Sequence, residues 1–265
     1  MPVEKNKEYI VEIVDNGYEG EGIAKIEGFT IFIPNAIKGE KIKVLIVKVL
    51  SSHAFGKILE IIVPSKYRTE SDCTTYKRCG GCNLRHIKYD ETLKMKQNSV
   101  QSLVNKTLRT KIKVNETLGM ENPYHYRNKA QYPVGIGKDN KPAIGVFANR
   151  THDIIRVDKC LIQNSKAEQL AKFIFRYIVE NNISIYDENT GKGLVRHIVV
   201  KVGVKTNQIM CIIVINGRNL KNEEDLVNQM SYKEQVIMMN YGMGFLAGAE
   251  SIGAPGLKAT DGPQG

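Results

Sequence analysis

The first sixty residues alternate between apolar and polar positions in short runs. From Lys7 to Val63 these runs are rich in β-branched residues, and turn residues such as Asp15-Asn16-Gly17 and Pro34-Asn35 separate them. In the run Lys41–Val49, charged and aliphatic residues alternate with a period of two, which is typical of a half-buried strand. Five short strands without a helix predict an OB-like β-barrel, closed or nearly closed, over residues 1–63.

Two later segments repeat their apolar residues at helical spacing. Tyr89–Leu108 places apolar side chains near one face, and Asn164–Asn181 carries a denser apolar stripe that predicts a helix facing a core. Together with strand-like runs, they predict an α+β central domain over residues 64–235. Seven glycines fall among the 24 residues from Gly242 to Gly265. That composition predicts a Gly-rich, disordered tail over residues 236–265.

Composition narrows the class of protein. The chain has 265 residues, of which 42% are hydrophobic and 25% are charged, as in soluble globular proteins. It has no apolar run of the roughly 18 residues that a spanning helix needs, and its first residues lack a signal-peptide core. We therefore expect a cytoplasmic protein without a membrane partner. In that compartment, five cysteines favour metal ligands over disulfides.

The positive charge is concentrated in the middle of the chain. The net charge is +10, and residues 64–160 hold 19 Lys and Arg against 9 Asp and Glu. Residues 1–63 hold 8 against 9, so the predicted barrel is nearly neutral. A basic stretch of this density indicates a polyanion, with RNA favoured over a membrane surface. Arg127 and Lys129 are the best candidates for phosphate or base contacts, and Tyr126 could stack on an unpaired base.

Three cysteines in the basic segment have the spacing of a metal site. Cys73, Cys79 and Cys82 are separated by five and two residues, and Gly80-Gly81 would let the backbone fold close to the sulfurs. A fourth ligand could be His86, as in a zinc knuckle, or a distant cysteine, which would suit zinc or an iron–sulfur cluster. Cys211 lies in an apolar strand pattern and is expected to be a core thiol. Cys160 follows a polar strand, and we assign it as the fourth ligand.

These motifs resemble those of the RNA 5-methyluridine (uracil-5-) methyltransferases, the enzymes that act on 23S rRNA. The barrel resembles their TRAM domain, and the cysteine spacing with a distant Cys160 resembles their iron–sulfur signature. Three further matches follow in order, namely Pro123–Pro133 with its Tyr-Arg-Asn-Lys run, Ile144–Ile155, and the Leu-Val-Arg-His strand at Gly193–Val200. The resemblance covers residues from about 7 to about 225.

The resemblance implies two cofactors. The metal would be a [4Fe-4S] cluster held by Cys73, Cys79, Cys82 and Cys160, and His86 would not be a ligand. The activity would use S-adenosylmethionine: a thiolate adds to C6 of uracil, C5 takes the methyl group, and a base removes the C5 proton. The expected RNA partner is 23S rRNA.

The end of the chain departs from this family. After about residue 225 we find neither a glycine-rich cofactor motif nor a nucleophile motif. We therefore expect the Rossmann-like methyltransferase domain to be absent, the chain to be truncated before it, and this chain alone to be inactive, with no catalytic residue assigned. Helix 89–108 would then expose its apolar face and allow self-association. The alternative is a stand-alone RNA-binding protein with a structural metal cluster.

Overall fold

The computed structural model describes residues 1–108, 111–149, 151–231 and 236–241. It consists of two compact units, each with its own hydrophobic core. The first unit contains Met1–Tyr76 and Cys82–Glu121, and the second contains Lys77–Gly81 and Asn122–Gly265. The cysteine triplet of the sequence is therefore shared between the units, since Cys79 belongs to the second.

A six-stranded sheet forms most of the first unit. Its strands are β1 (Glu8–Glu12), β2 (Asp15–Asn16), β3 (Gly22–Ile26), β4 (Phe29–Ile33), β5 (Lys41–Val49) and β6 (His53–Val63). Their order is β1-β5-β6-β4-β3-β2, and all neighbours are antiparallel except β4 and β6. Strands β1 and β2, at the two ends of the sheet, are separated in the chain only by Ile13 and Val14, so the sheet curls round on itself as in a barrel.

A buried ion pair joins this sheet to the segment that follows it. Glu40 has no exposed surface, and its two carboxylate oxygens accept hydrogen bonds from Arg68 and from the N–H groups of Ile37 and Ser65. Burial acts to raise the pKa of Glu40, but the hydrogen bonds from Arg68, Ile37 and Ser65 outweigh it and hold that pKa below its ordinary value. The pair fixes the start of the segment that leads to Cys73.

Helix α1 (Tyr89–Thr107) confirms the helix predicted at Tyr89–Leu108. The chain after it runs back along part of its surface. Gln97 donates to the carbonyl of Val114 at 3.0 Å, and the Gln101 side chain both donates to the carbonyl of Ile112 and accepts from the N–H of Val114, each at 2.8 Å. The helix is therefore partly covered by its own chain.

The core of the second unit lies between a five-stranded sheet and a helix. The elements are β7 (Lys129–Ile136), β8 (Pro142–Ile144), β9 (Val146–Phe147), β10 (Ile154–Ile155), α2 (Ser165–Glu180), β11 (Val195–Gly203), β12 (Gln208–Ile215), α3 (Glu223–Ser231) and β13 (Val236–Tyr241). The sheet order is β13-β12-β11-β7-β8, and β9 pairs with β10 separately. The second predicted helix is confirmed as α2, whose buried stripe runs from Ala167 to Ile178.

The sheet ends in a parallel pair that the sequence analysis did not predict. Strand β13 pairs in parallel with β12, and α3 provides the crossover that parallel strands require. This strand–helix–strand unit is an α/β element within a region predicted to be purely α+β. Strand β13 lies inside the predicted tail, and residues 242–265 of that tail lie outside the described residues. The division into three domains at residues 63 and 235 stays a prediction.

Candidate functional site

The five cysteines fall into two environments. Cys73, Cys79, Cys82 and Cys160 are partly exposed, whereas Cys211 on β12 is fully buried in the core. Burial raises the pKa of the Cys211 thiol to about 12, so it stays protonated and is unsuited to bind a metal or attack a substrate. The predicted core thiol is confirmed.

Tyr76 closes the loop that carries Cys73 and Cys82 in the first unit. Its hydroxyl donates to the carbonyl of Asn83 at 3.0 Å and lies 2.7 Å from Nδ1 of His86. Burial, followed by the charge of Arg68, lowers the pKa of His86 to about 4, so its ring is neutral. Because the phenol has one proton, it accepts from Nδ1–H of His86 while donating to Asn83. The imidazole therefore holds the loop closed.

Cys79 lies on a glycine-containing segment of the second unit. The N–H of Gly81 donates to Sγ of Cys79 at 3.3 Å, and the N–H of Gly80 donates to the carbonyl of Phe147 at 3.2 Å. A Cβ atom at Gly80 would lie 3.2 Å from Cα of Asn149, so only glycine fits here without displacing the neighbouring chain. The two glycines act as the sequence predicted, allowing close approach and directing an N–H at sulfur.

Cys160 is held by its backbone. Its N–H donates to the carboxylate of Glu168 at 2.9 Å, and the same carboxylate pairs with Lys172 at 2.7 Å. Within the described part of the chain, no group of three or more His, Cys, Asp or Glu side chains is placed to hold a metal ion. The set of four cysteine ligands therefore stays a prediction.

The predicted RNA-binding residues form one exposed stretch that leads into the start of β7. Tyr126 is 47% exposed, and the side chains of Arg127 and Lys129 are also exposed. Backbone hydrogen bonds fix this stretch, since the N–H of Arg127 donates to the carbonyl of Ile162 at 2.9 Å. The structure thus presents all three side chains from a rigid backbone.

Lys201 is a cationic residue that the sequence analysis missed. It lies on β11 directly opposite Lys129 on β7, and both side chains are exposed. Like charges in directly opposed positions destabilise a sheet, so a neighbouring anion would relieve their repulsion. No signal in the local sequence could have revealed the pair, because it depends on the register between two distant strands.

No helix among the described residues is long and apolar enough to cross a membrane.

Comparison with known proteins places these features in context. Residues 2–59 match the family described as the TRAM domain. The chain is 44% identical to an uncharacterized RNA methyltransferase of Clostridium acetobutylicum over 240 residues, which cover 89% of this chain and 52% of that protein. It is 41% identical to one of Staphylococcus epidermidis, over 86% of this chain and 50% of that protein. The chain spans about half the length of these curated relatives.

A solved structure shares the fold. The crystal structure of Pyrococcus abyssi tRNA (uracil-54, C5)-methyltransferase, in complex with S-adenosyl-L-homocysteine, is 20% identical to this chain. The TM-score is 0.62, and the match covers 82% of this chain and 48% of the other. The chain thus carries a segment, residues 2–59, that matches the TRAM domain. More particularly, it is similar to RNA methyltransferases through most of its length.

The comparisons correct one expectation. The prediction that the Rossmann-like methyltransferase domain is absent is wrong, because most of the chain matches RNA methyltransferases in sequence and a methyltransferase in fold. That prediction relied on missing motifs in a short glycine-rich stretch at the end of the sequence. The parallel pairing of β12 and β13 around α3 lies just before that stretch, and such units are the building blocks of α/β folds.

Proposed function

We propose that the chain serves in S-adenosylmethionine-dependent methylation of RNA, as part of a cytoplasmic uracil-5-methyltransferase that acts on 23S rRNA. The observation that carries the proposal is the similarity to RNA methyltransferases over 89% of the chain. The Tyr-Arg-Asn-Lys and Leu-Val-Arg-His motifs support the choice of uracil-5 chemistry, and so does the fold shared with a uracil-C5 enzyme.

The chain's part in this function is to bind RNA. Arg127 offers a planar fork to phosphate, Lys129 and Lys201 offer paired point charges, and Tyr126 offers a ring to an unpaired base. All four side chains are exposed, and three of them follow one another closely on a fixed backbone. An extended cationic surface of this kind positions an RNA strand through its phosphates.

Cys73, Cys79, Cys82 and Cys160 would hold a [4Fe-4S] cluster. The chemistry of these donors fits, because cysteine thiolates are the ligands of such clusters and an N–H is directed at the sulfur of Cys79. Cys211 does not fit, because its protonated thiol is buried among apolar side chains.

Methylation at C5 requires a thiolate that adds to C6 and a base that removes the C5 proton. Of the five cysteines, four are proposed ligands, whose thiolates would be occupied by metal. The fifth, Cys211, is protonated and inaccessible. We therefore assign these cysteines no nucleophilic role.

Nucleoside analysis of RNA from cells with the gene disrupted tests the function. We expect 23S rRNA to lose one 5-methyluridine, as measured by mass spectrometry after digestion, and tRNA to keep its own. A plasmid-borne copy of the gene should restore the modification. Unchanged 23S rRNA would refute the proposal, and loss from tRNA instead would refute the rRNA target.

Metal analysis tests the cluster separately. Anaerobically purified protein should contain about four irons per chain and absorb broadly in the visible range. Cys160→Ser should abolish the absorbance, whereas the matched variant Cys211→Ser should retain it. One tightly bound zinc in place of iron would contradict the cluster.

A further inference from the structure

Two segments that are distant in sequence line an open cleft in the second unit, and a third places Glu188 beside His152. Phe147 lies on β9, and His152 lies in the turn that leads to β10. Gly80 lies beside β9, because its N–H donates to the carbonyl of Phe147. Glu188, in the loop before β11, contacts His152. The cleft has a volume of about 470 Å³, within the usual range of small-ligand sites. It is lined by Gly80, Gly81, Phe147, Asn149, Thr151 and His152.

An aromatic stack forms one wall of the cleft. The rings of Phe147 and His152 are nearly parallel, with centroids 5.1 Å apart and an interplanar angle of 26°. His197, on β11, meets Phe147 edge-on at 6.3 Å. The side chain of His152 is 74% exposed. Phe147 therefore supports the His152 ring from one side and leaves most of its surface open to solvent.

Glu188 holds the exposed ring in place. Its carboxylate lies 2.5 Å from Nδ1 of His152, so Nδ1–H donates to the carboxylate and Nε2 remains directed away from it. An exposed histidine ordinarily exchanges between rotamers, and ordering it on binding opposes affinity. Here the stack on Phe147 and the bond to Glu188 order the ring in advance.

We propose that this cleft binds one unpaired nucleobase of RNA, which stacks on the His152 ring beside the peptide groups of Gly80 and Gly81. The inference rests on the proposed function, since it takes RNA as the partner. Flat rings bind bases of any sequence by stacking, and the glycines leave peptide edges uncovered by side chains. The residues that line the cleft belong to segment 64–160, which carries the chain's excess positive charge and favours a base attached to a polyanion over a neutral ligand.

An abasic scan tests the site. The full chain is titrated with a fluorescent uridine decamer and with decamers in which one position at a time lacks its base. Wild-type protein should lose about tenfold in affinity when the stacked base is missing. His152→Ala should bind the intact decamer about tenfold more weakly and show no further loss at that position. Tyr18→Ala, which removes an 87% exposed ring from the barrel, should behave like wild type.

A second variant separates the loss of the binding site from a loss of the folded structure. Glu188→Gln keeps the size of the side chain but removes its charge. When the stacked base is missing, this variant should lose less affinity than the wild-type protein does. All variants should unfold at the wild-type temperature. If wild-type protein binds the decamer and both variants bind it equally well, the nucleobase site is refuted while RNA binding stands. If wild-type protein binds no RNA, the site and the proposed function both fail.

Discussion

Lysines on the strands of the two units have opposite kinds of neighbour. In the barrel, Lys43 on β5 forms an ion pair with Glu8 on β1 at 2.6 Å, and the hydrogen bond that Lys43 donates to Glu8 raises the pKa of Lys43. In the second unit, Lys129 on β7 faces Lys201 on β11, and no carboxylate of the described residues pairs with either. The strand lysine of the barrel is thus matched by a carboxylate, whereas the two strand lysines of the second unit form an exposed repulsive pair. We therefore expect Lys43 to contribute to stability, and Lys129 and Lys201 to contribute to the RNA binding proposed above.

The largest expected effect follows from breaking the buried ion pair between Arg68 and Glu40 in the first unit. Arg68→Ala would leave the carboxylate of Glu40 buried without its partner, and uncompensated buried charges reduce stability by about 3–5 kcal/mol. We expect the free energy of unfolding from urea titration to fall by that amount. Lys38→Ala is the control, because its ion pair with Asp15 is about two-thirds exposed and should contribute under about 1 kcal/mol. Equal effects of the two substitutions would show that burial does not matter here.

The same pair should make the protein sensitive to acid. Because the folded-state pKa of Glu40 lies below its ordinary 4.5, the carboxylate stabilises the fold above that pH. This stability is lost as the pH falls below 4.5 and through the lowered pKa. Glu40→Gln should be less stable at neutral pH and should show a shallower loss of stability in acid. Urea midpoints measured across that pH range report the stability of both proteins. If the midpoints of wild type and variant fell in parallel, the role of Glu40 would be contradicted.

Helix α1 offers a contrast within the first unit. Leu93 near its start lies against Gly119, whereas Val100 and Leu103 are 49% and 57% exposed. Self-association through this face stays a prediction, and Leu103→Gln tests it. Since burial of a leucine contributes about 1.5–3 kcal/mol, the substitution should raise a dimer dissociation constant at least about tenfold in sedimentation experiments. Leu93→Val is the control for the covered end. A wild-type chain that stays monomeric would refute the prediction.

The sequence revealed those features that depend on local periodicity or spacing. The amphipathic stripes of α1 and α2 predicted both helices, and the apolar run around Cys211 predicted its burial. Contacts between distant segments were not predictable in this way. The bond of His152 to Glu188 joins residues 36 positions apart, and the facing of Lys129 and Lys201 depends on strand register. The absence of motifs at the end of the chain likewise led to a wrong prediction about the methyltransferase domain. The strand β13 found there depends on its pairing with β12, which local motifs do not reveal.

The smallest expected effect tests the opening comparison most directly, because stability and RNA affinity should move in opposite directions. Lys201→Glu replaces the repulsion of Lys129 with an attraction, which should raise the free energy of unfolding by about 0.5 kcal/mol. It should also weaken RNA binding and lower the slope of log affinity against log salt by about 0.7, the contribution of one lost phosphate contact on a single strand.

Lys43→Glu is the matched control in the barrel. There the new carboxylate would face Glu8, so the protein should become less stable by a similar small amount, while the salt dependence of RNA binding should not change. Chemical denaturation and salt titrations of both variants provide the four measurements. If Lys201→Glu left the salt slope unchanged, the repulsive pair would have no role in binding RNA. If Lys43→Glu lowered the slope, the barrel would bind RNA through its charges as well, and the contrast between the two sets of lysines would fail.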